Sequence, residues 1–261
     1  MNEEYYYYEE NGKLFRFHLE RDEIPWNPRK DQDGNIGTMN LYWNRYELGD
    51  NDGKGDADDT LNEIIFDNVS EDKYDEENVI YDMGRNEKIV LLQSQENIVL
   101  LPCFIYEHSG LTISCSNASY PFNDRWDSGM AGYIYTTKAK CEEQWGTDEV
   151  KADWKLRAAR ELVYEVKLYD QYLQGECYGY RVDRYNPEDD EWEEDVESCW
   201  GYYSDKWGTD LAREIADNNI TSESFISEED AEITIANMRQ IALEEKAERK
   251  VMEQADYMVC I

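Results

Sequence analysis

Residues 98–137 read IVLLPCFIYEHSGLTISCSNASYPFNDRWDSGMAGYIYTT, and this stretch decides the predicted fold. It contains three runs rich in Val, Ile, Tyr and Phe, at 98–106, 111–115 and 132–137, with Gly and Pro between them. Such runs between such residues are typical of β-strands joined by turns. Because this stretch is also the least acidic part of the chain, we expect it to form the centre of an antiparallel sheet.

Helical patterns follow on the C-terminal side of this sheet. Residues 148–173 carry apolar side chains three and four positions apart, which predicts an amphipathic helix lying across the sheet. A second helix is expected from Ser227 to about residue 252, because Ser227 and Asp230 have the spacing of an approximate capping box. Thr60 is the expected N-cap of a short helix that ends near Phe66.

The chain is therefore expected to be an α+β protein, with a mostly antiparallel central sheet and two to three packed helices. Three regions are predicted. Residues 1–97 hold Tyr-rich strands and an acidic insertion, residues 98–206 hold the central sheet, the long helix and an acidic hairpin, and residues 207–261 hold C-terminal helices. A single continuous domain is the alternative. The tetrapeptide Trp-Gly-Thr-Asp occurs at 145–148 and at 207–210, and we interpret it as two similar helix starts.

Charge is the most unusual property of the sequence. Its 261 residues include 60 Asp and Glu against 26 Lys and Arg, which gives a net charge of −34. Direct binding to nucleic acid needs a basic surface, so this class of function is excluded. The 21 Tyr and 8 Trp residues also exclude a disordered acidic tail, because such segments are poor in aromatic residues. A strongly basic partner is the interaction that the charge favours.

The N-terminus and the cysteines indicate a cytoplasmic protein that does not associate with a membrane. The start MNEEYYYYEE has neither the basic residues nor the apolar stretch of a signal peptide, and no apolar run reaches the length of a membrane span. The six cysteines are widely spaced and form no C-x-x-C pair. We expect them to be reduced, structural thiols.

The candidate partner-binding site is the acidic run EDDEWEEDVE at residues 188–197, which is expected to be part of a hairpin with strands at 177–185 and 191–203. Alternate residues of a strand share a face and lie about 6.6 Å apart, a spacing comparable to that of DNA phosphates. The expected row of carboxylates is Asp189, Glu191, Glu193, Asp195 and Glu197. An exposed Trp192, or the tyrosines at 5–8, would supply aromatic anchors. A solvated face that protects an edge strand is the alternative.

Other combinations of residues fall short of a catalytic or metal site. The segment 50–56 resembles a calcium loop, but Lys54 occupies a ligand position and Leu61 stands where the bidentate Glu is needed. His18 and His108 lack neighbours at zinc-ligand spacing. No phosphate-binding glycine motif is present. We therefore expect no catalytic residues, no metal and no cofactor, and an unrecognised hydrolytic site around His108, Asp127 and Ser128 remains an alternative.

Several segments together resemble a family of uncharacterised proteins encoded by phages and mobile elements of Firmicutes and gut bacteria. The resemblance spans residues 35–203 and departs from the family in the loop at 117–125. The segments that carry it are Asn35-Ile36-Gly37-Thr38-Met39, Arg45-Tyr46-Glu47-Leu48-Gly49-Asp50, His108-Ser109-Gly110-Leu111-Thr112-Ile113-Ser114, Trp126-Asp127-Ser128-Gly129, Gly132-Tyr133-Ile134-Tyr135, Tyr169-Asp170-Gln171-Tyr172-Leu173 and Ser198-Cys199-Trp200-Gly201-Tyr202-Tyr203. It implies a phage context, in which the acidity is similar in kind to that of DNA-mimic anti-restriction and anti-CRISPR proteins.

These observations lead to an expected function. The protein is interpreted as an inhibitor of a host DNA-acting defence system, which binds the basic groove of a restriction, CRISPR or related nuclease complex in the host cytoplasm. Its carboxylates would stand in for phosphates. An assembly or adaptor protein that recognises a partner by shape is the alternative from another class. Whether the chain also forms a homo-oligomer is left open by the sequence.

Overall fold

The structure is a computed structural model that describes residues 4–51, 55–70, 77–116, 120–124, 126–219 and 225–259. The chain divides into two compact units. Unit 1 consists of Met1–Ile24 and Glu176–Ile261, and unit 2 consists of Pro25–Gly175. The predicted divisions after residues 97 and 206 do not coincide with these units. The strand Lys13–Arg21 pairs with the strand Cys177–Asn186, and a pairing so distant in sequence leaves no local signal.

The described residues form eight strands and seven α-helices. The strands are β1 (Tyr5–Glu10), β2 (Lys13–Arg21), β3 (Thr38–Leu41), β4 (Ile98–Glu107), β5 (Leu111–Cys115), β6 (Ser128–Thr137), β7 (Cys177–Asn186) and β8 (Glu191–Tyr203). The helices are α1 (Ala57–Asn68), α2 (Glu77–Asp82), α3 (Arg85–Gln93), α4 (Lys138–Trp145), α5 (Trp154–Gln174), α6 (Thr209–Asn219) and α7 (Glu228–Val259). The α+β class is confirmed, although there are two sheets and more helices than expected.

Unit 1 contains a four-stranded antiparallel sheet in the order β1-β2-β7-β8. Because side chains alternate along each strand, the sheet buries apolar groups on both faces. Phe17 and Tyr180 pack on one face with Leu211 and Ile215 of α6. The opposite face is covered by α7, whose Ala231 packs with Leu14 and Tyr185 of the sheet.

Unit 2 contains the second antiparallel sheet, in the order β3-β6-β4-β5. The predicted strands in the stretch 98–137 correspond to β4, β5 and β6, and this part of the prediction is confirmed. Helix α5 packs Ala158, Leu162 and Val166 on one face of the sheet. Helix α1 packs Leu61 and Ile64 on the other face. The sheet is therefore buried between two helical layers.

Two predicted helix starts are correct, at Ser227 and at residues 207–210, where α6 begins at Thr209, and two others are wrong. At α7 the Asp230 amide donates to Ser227 Oγ at 3.0 Å, as the capping box requires. At α1 the cap is Asp56, which accepts from the amides of Asp58 and Asp59. Thr60 lies inside that helix, where it is buried and bonds the Tyr42 hydroxyl at 2.8 Å. The long helix begins at Trp154 rather than at residue 148, because Thr147–Glu149 forms a separate 3-10 turn.

No helix in the described ranges has the length and hydropathy that crossing a membrane would require.

Candidate partner-binding surface

The acidic run lies on the β7–β8 hairpin, and β8 is an edge strand of the sheet of unit 1. Residues 187–190 form the turn, and β8 continues with 13 residues from Glu191 to Tyr203. The segment from Glu194 to Trp200 is exposed along its whole length. In the described part of the chain, no bridge covers the outer side of β8, whereas β1 at the other edge is bridged to Ile226 through Tyr7. An open edge strand exposes backbone donors and acceptors as well as side chains.

The expected unbroken row of carboxylates is wrong in two places. Asp189 lies in the turn and not in the strand. The register of β7 and β8 shifts between Val182 and Arg184, so Asp183 alone lies opposite residues 194–196. Asp195 sits in this bulge with a positive φ of 53°. A bulge re-aims side chains, and a regular 6.6 Å spacing therefore does not extend across it.

The bulge places Asp195 on a different face from its acidic neighbours. The Asp195 amide donates to Asp183 Oδ1 at 3.0 Å, and Arg181 Nη1 donates to Asp195 Oδ2 at 2.9 Å. Glu193 and Glu197 lie directly opposite Arg184 and Val182, and directly opposite residues share a face. Arg184 and Val182 point to the other side of β7 from Arg181 and Asp183. The predicted row is therefore divided between two faces of the hairpin.

Arginines neutralise half of the acidic run. Of its eight carboxylates, four contact an arginine in the described structure. Two of these arginines belong to β7: Arg181 contacts Asp195, and Arg184 Nε donates to Glu193 Oε2 at 2.9 Å. The other two, on α7, bind the turn: Arg239 Nε to Asp190 at 2.9 Å and Arg249 Nη2 to Glu188 at 3.0 Å. The net charge of the hairpin surface is accordingly much smaller than the sequence alone indicates.

Four carboxylates of the run make no ion pair within the described ranges: Asp189, Glu191, Glu194 and Glu197. Asp189 Oδ2 accepts from the side-chain amide of Asn186 at 3.1 Å, and Glu197 accepts from the Tyr180 hydroxyl at 3.4 Å. All four residues are exposed. These are the groups that remain available to a cationic partner.

Asp190 is held in its charged form by its neighbours in the turn. The Tyr185 hydroxyl donates to Asp190 Oδ1 at 2.7 Å, and Arg239 donates to the same oxygen. These contacts, with the Tyr185 hydrogen bond the larger effect, lower the pKa of Asp190 below its usual range. The turn is thus tied both to β7 and to α7, which orders the acidic tip.

Trp192 is not the exposed anchor that the sequence predicts. It packs among Tyr7, Tyr185 and α7, and the guanidinium of Arg16 lies 4.4 Å from the centre of its ring. The tyrosines at 5–8 are also part of the fold: Tyr6 and Tyr8 are buried, and Tyr5 and Tyr7 are half-buried. Alternation along β1 and β8 points these rings to the sheet faces that the two helices cover.

The exposed aromatic side chain on this edge is Trp200, which the sequence alone did not indicate as an anchor. It is 38% exposed, and Val196 in the same strand is 44% exposed. Trp200 lies opposite Gly179, where a Cβ would collide with the indole ring. Arg181 lies 5.4 Å above that ring. A glycine directly opposite a tryptophan in the predicted hairpin is the signal that could have located this residue.

Unit 2 uses the segments at 35–39 and 45–50 for a buried ion network. Arg29 Nη1 donates to Glu165 at 2.5 Å, and its Nε and Nη2 donate to Asp50 at 2.9 and 2.6 Å. Glu165 Oε1 also accepts from the amides of Ile36 and Gly37. A Cβ at Gly37 would lie 2.6 Å from Glu165 Oε2, so glycine is what lets this carboxylate approach the backbone. These segments therefore support the fold of unit 2.

Residues 52–54 of the calcium-like loop lie outside the described residues. The loop residues on either side of them make structural contacts. Asp50 binds Arg29 and the Met39 amide, and Asp56 caps α1. Asn51 exchanges hydrogen bonds with the backbone of Leu41. Within the described part of the chain, no cluster of three His, Cys, Asp or Glu residues is placed to hold a metal ion.

Of the contacts that a hydrolytic site around His108, Asp127 and Ser128 would need, the structure shows the one between His108 and Asp127. His108 Nδ1 lies 3.4 Å from Asp127 Oδ2, and both side chains are about half exposed or more, at 66% and 47%. Ser128 Oγ bonds the Asp124 carbonyl and the Tyr120 hydroxyl, and neither of these groups is a base. His18 lies in unit 1, where its Nε2 is 2.8 Å from Glu20. The serine is thus not paired with a histidine that could activate it.

The chain matches no protein-family model, no curated protein and no solved structure.

Proposed function

We propose that the protein inhibits a host DNA-acting defence system by binding the basic nucleic-acid groove of a restriction, CRISPR or related nuclease complex. The observation that carries this proposal is the open, exposed edge strand β8 together with the turn before it, which carry four carboxylates that have no arginine partner within the described ranges. These are Asp189, Glu191, Glu194 and Glu197. The proposal places the protein in the cytoplasm of the host, where such complexes act.

Electrostatics supports a charged groove as the partner. With a net charge of −34, the protein attracts cationic surfaces over long distances and repels nucleic acid and other acidic proteins. At contact, carboxylates that are not already neutralised can form charge-assisted hydrogen bonds with Lys and Arg. Exposed charge pairs are screened by salt, so the complex is expected to weaken as ionic strength rises. Because of the bulge, the carboxylates would imitate DNA as a patch of negative charge and not as a regularly spaced row of phosphates.

The test compares two variants with the same change in charge. The hairpin variant carries Asp189→Asn, Glu191→Gln, Glu194→Gln and Glu197→Gln. The control variant carries Asp33→Asn, Glu47→Gln, Glu96→Gln and Glu143→Gln, four exposed acids of unit 2. Each protein is immobilised and exposed to host lysate at low salt, and bound proteins are released by stepwise salt or by duplex DNA and identified by mass spectrometry.

The expected result is capture of a nuclease or its guide complex that DNA displaces. Affinity for that partner should fall at least ~10-fold in the hairpin variant and remain close to wild type in the control. Equal losses in both variants would mean that net charge alone drives binding. Capture of no nucleic-acid-binding protein would reject the proposal.

Shape-based recognition is the second candidate function, because β8 also exposes apolar groups. Val196 and Trp200 are 44% and 38% exposed on the same strand as the carboxylates. An exposed tryptophan at a strand edge is a typical interface anchor. If the protein is an adaptor of this kind, Trp200→Ala should abolish partner capture, while the hairpin charge variant and added salt should have little effect.

A further inference from the structure

Two cysteines of unit 2 lie directly opposite each other in the sheet. Cys103 of β4 and Cys115 of β5 are register partners in the antiparallel pair. Side chains of directly opposite residues project to the same face of a sheet, and both cysteines contact the same hydrophobic cluster. Cys103 is fully buried and Cys115 is half-buried.

The hydrogen-bond pattern identifies the type of this pair. The Ser116 amide donates to the Pro102 carbonyl at 3.2 Å, so residues 102 and 116 form a hydrogen-bonded pair. Bonded and non-bonded pairs alternate along an antiparallel ladder, which makes Cys103 and Cys115 a non-hydrogen-bonded pair. Ile113, two residues from Cys115, should also be in a non-hydrogen-bonded pair. Its amide points away from β4 and donates to Asp170 Oδ1 at 2.7 Å, as this alternation requires.

A non-hydrogen-bonded pair is the position at which two strands can be linked by a disulfide. The Cα atoms of such a pair are typically about 4.5 Å apart, closer than in a hydrogen-bonded pair. Disulfides span Cα separations of roughly 4.4–6.8 Å, so a pair of this type has the backbone spacing that a disulfide needs. No other two described cysteines are register partners in either sheet.

We propose that Cys103 and Cys115 are a modification site, at which a small-molecule disulfide oxidises the pair to a cross-strand disulfide. The thiolate of Cys115, the more accessible residue, attacks one sulfur of the reagent, and one thiolate of the reagent leaves. The thiolate of Cys103 then attacks Cys115 Sγ and expels the second. Two protein thiols are oxidised, one disulfide is reduced to two thiols, and the two protons pass to the released thiols.

Burial makes the reaction slow at neutral pH. It raises the pKa of Cys115 to about 11 and the pKa of Cys103 well above its ordinary value, mainly through loss of solvation. Because the thiolate is the attacking species, the rate should increase as pH rises toward 11. The product links the edge strand β5 to the central strand β4. Closing this short loop should raise the unfolding temperature of unit 2 by roughly 5–10 °C.

The experiment incubates the full-length protein with oxidised glutathione at several pH values under native conditions. Free thiols are then alkylated, and peptides are mapped without reduction. The expected product joins the peptides of Cys103 and Cys115, with loss of two hydrogens, and forms faster at higher pH. In a Cys103→Ser variant, Cys115 should instead retain one glutathionyl group, because the second thiol is missing.

A control variant distinguishes reaction at Cys103 and Cys115 from reaction at the exposed Cys199. A Cys199→Ser variant should form the Cys103–Cys115 link as the wild type does, since Cys199 is exposed in unit 1. If the Cys103→Ser variant does not fold, peptide mapping of the wild-type protein still tests the proposal. The proposal is overturned if both cysteines remain alkylatable after prolonged incubation, or if Cys115 stops at the glutathione adduct in the wild-type protein.

Discussion

Arginines contact carboxylates in both units, but under opposite conditions of solvent exposure. In unit 2, the Arg29 side chain is 1% exposed and binds Glu165 and Asp50, which also accept hydrogen bonds from backbone amides. In unit 1, Arg181 and Arg184 are each 39% exposed and each bind one carboxylate of β8, and Arg181 also binds Glu20. Buried charges need their partners, whereas exposed pairs are screened by water and contribute little. The same chemistry therefore supports the fold in unit 2 and adjusts surface charge in unit 1.

The largest expected effect is at Arg29. Arg29→Met removes the cation and leaves Glu165 buried without its charge partner, which should lower the free energy of unfolding by about 3–5 kcal/mol. Urea unfolding monitored by hydrogen exchange in peptides of unit 2 measures this loss. A loss below ~1 kcal/mol would show that water replaces the guanidinium and that the network is not structural.

The stability of the two units should respond differently to alkaline pH because of their buried tyrosines. Burial raises the pKa of Tyr8, Tyr180 and Tyr202 in unit 1 above the ordinary value of 10.0. Glu197 adds to the shift for Tyr8 and Tyr180. The folded state keeps these hydroxyls protonated while the unfolded state ionises, so their stabilising effect is full below pH 10 and declines as pH rises toward the folded pKa values.

The decline should be about 1.4 kcal/mol per pH unit for each strongly shifted tyrosine above pH 10. Hydrogen exchange and tyrosinate absorbance, followed together from neutral pH upward, measure it. In unit 2, burial raises the pKa of Tyr133, Tyr135 and Tyr169 as well. Burial also raises the pKa of Tyr6, Tyr7 and Tyr185 in unit 1, so the described residues include six shifted tyrosines in unit 1 against three in unit 2. The peptides of unit 1 should therefore lose protection more steeply. Simultaneous loss in both units would contradict this difference.

A smaller effect is expected at Gly179. A Cβ there would collide with the indole of Trp200, and the backbone of this glycine lies outside the left-handed region, so the cost is steric. Gly179→Ala should displace the ring and lower stability by about 1–3 kcal/mol. Gly110→Ala is the matched control, because nothing lies within 4 Å of the added methyl. Equal stability of the two variants would show that Trp200 moves away without loss.

The smallest effect on stability is expected at Arg184. Arg184→Met should cost at most ~1 kcal/mol, because the pair with Glu193 is exposed. The same change releases a carboxylate on the hairpin, so a captured basic partner should bind more tightly at low salt. Titration of that partner at two salt concentrations tests this directly. A fall in affinity would place Arg184 itself in the interface.

Sequence patterns located the elements that are determined by neighbouring residues. The strands β4, β5 and β6 and the β7–β8 hairpin follow from local alternation and turn residues. The start of α7 follows from the side chains of Ser227 and Asp230, which are close in sequence and bond each other. At α1, Thr60 is a residue that caps well, but Asp56 lies one turn earlier and takes the position.

What the sequence did not predict depends on contacts between distant residues. The pairing of β2 with β7, the covering of Trp192 by Tyr7 and α7, and the arginines supplied by α7 to the acidic turn all join distant parts of the chain. The bulge at Asp195 is also invisible in the acidic run, because it arises where β8 has two more residues than β7. The expected carboxylate row failed for this reason.

The division of the chain imposes an order of events during synthesis. Asp22 and Cys177 are 155 residues apart and are joined by a 2.8 Å hydrogen bond between their backbones. Until β7 has been made, the hairpin β1–β2 has no partner along β2, whose Phe15, Phe17 and Leu19 are strand residues with apolar side chains. An unpaired apolar strand edge is a site of aggregation. The strong negative charge of the nascent chain opposes that association through repulsion between copies.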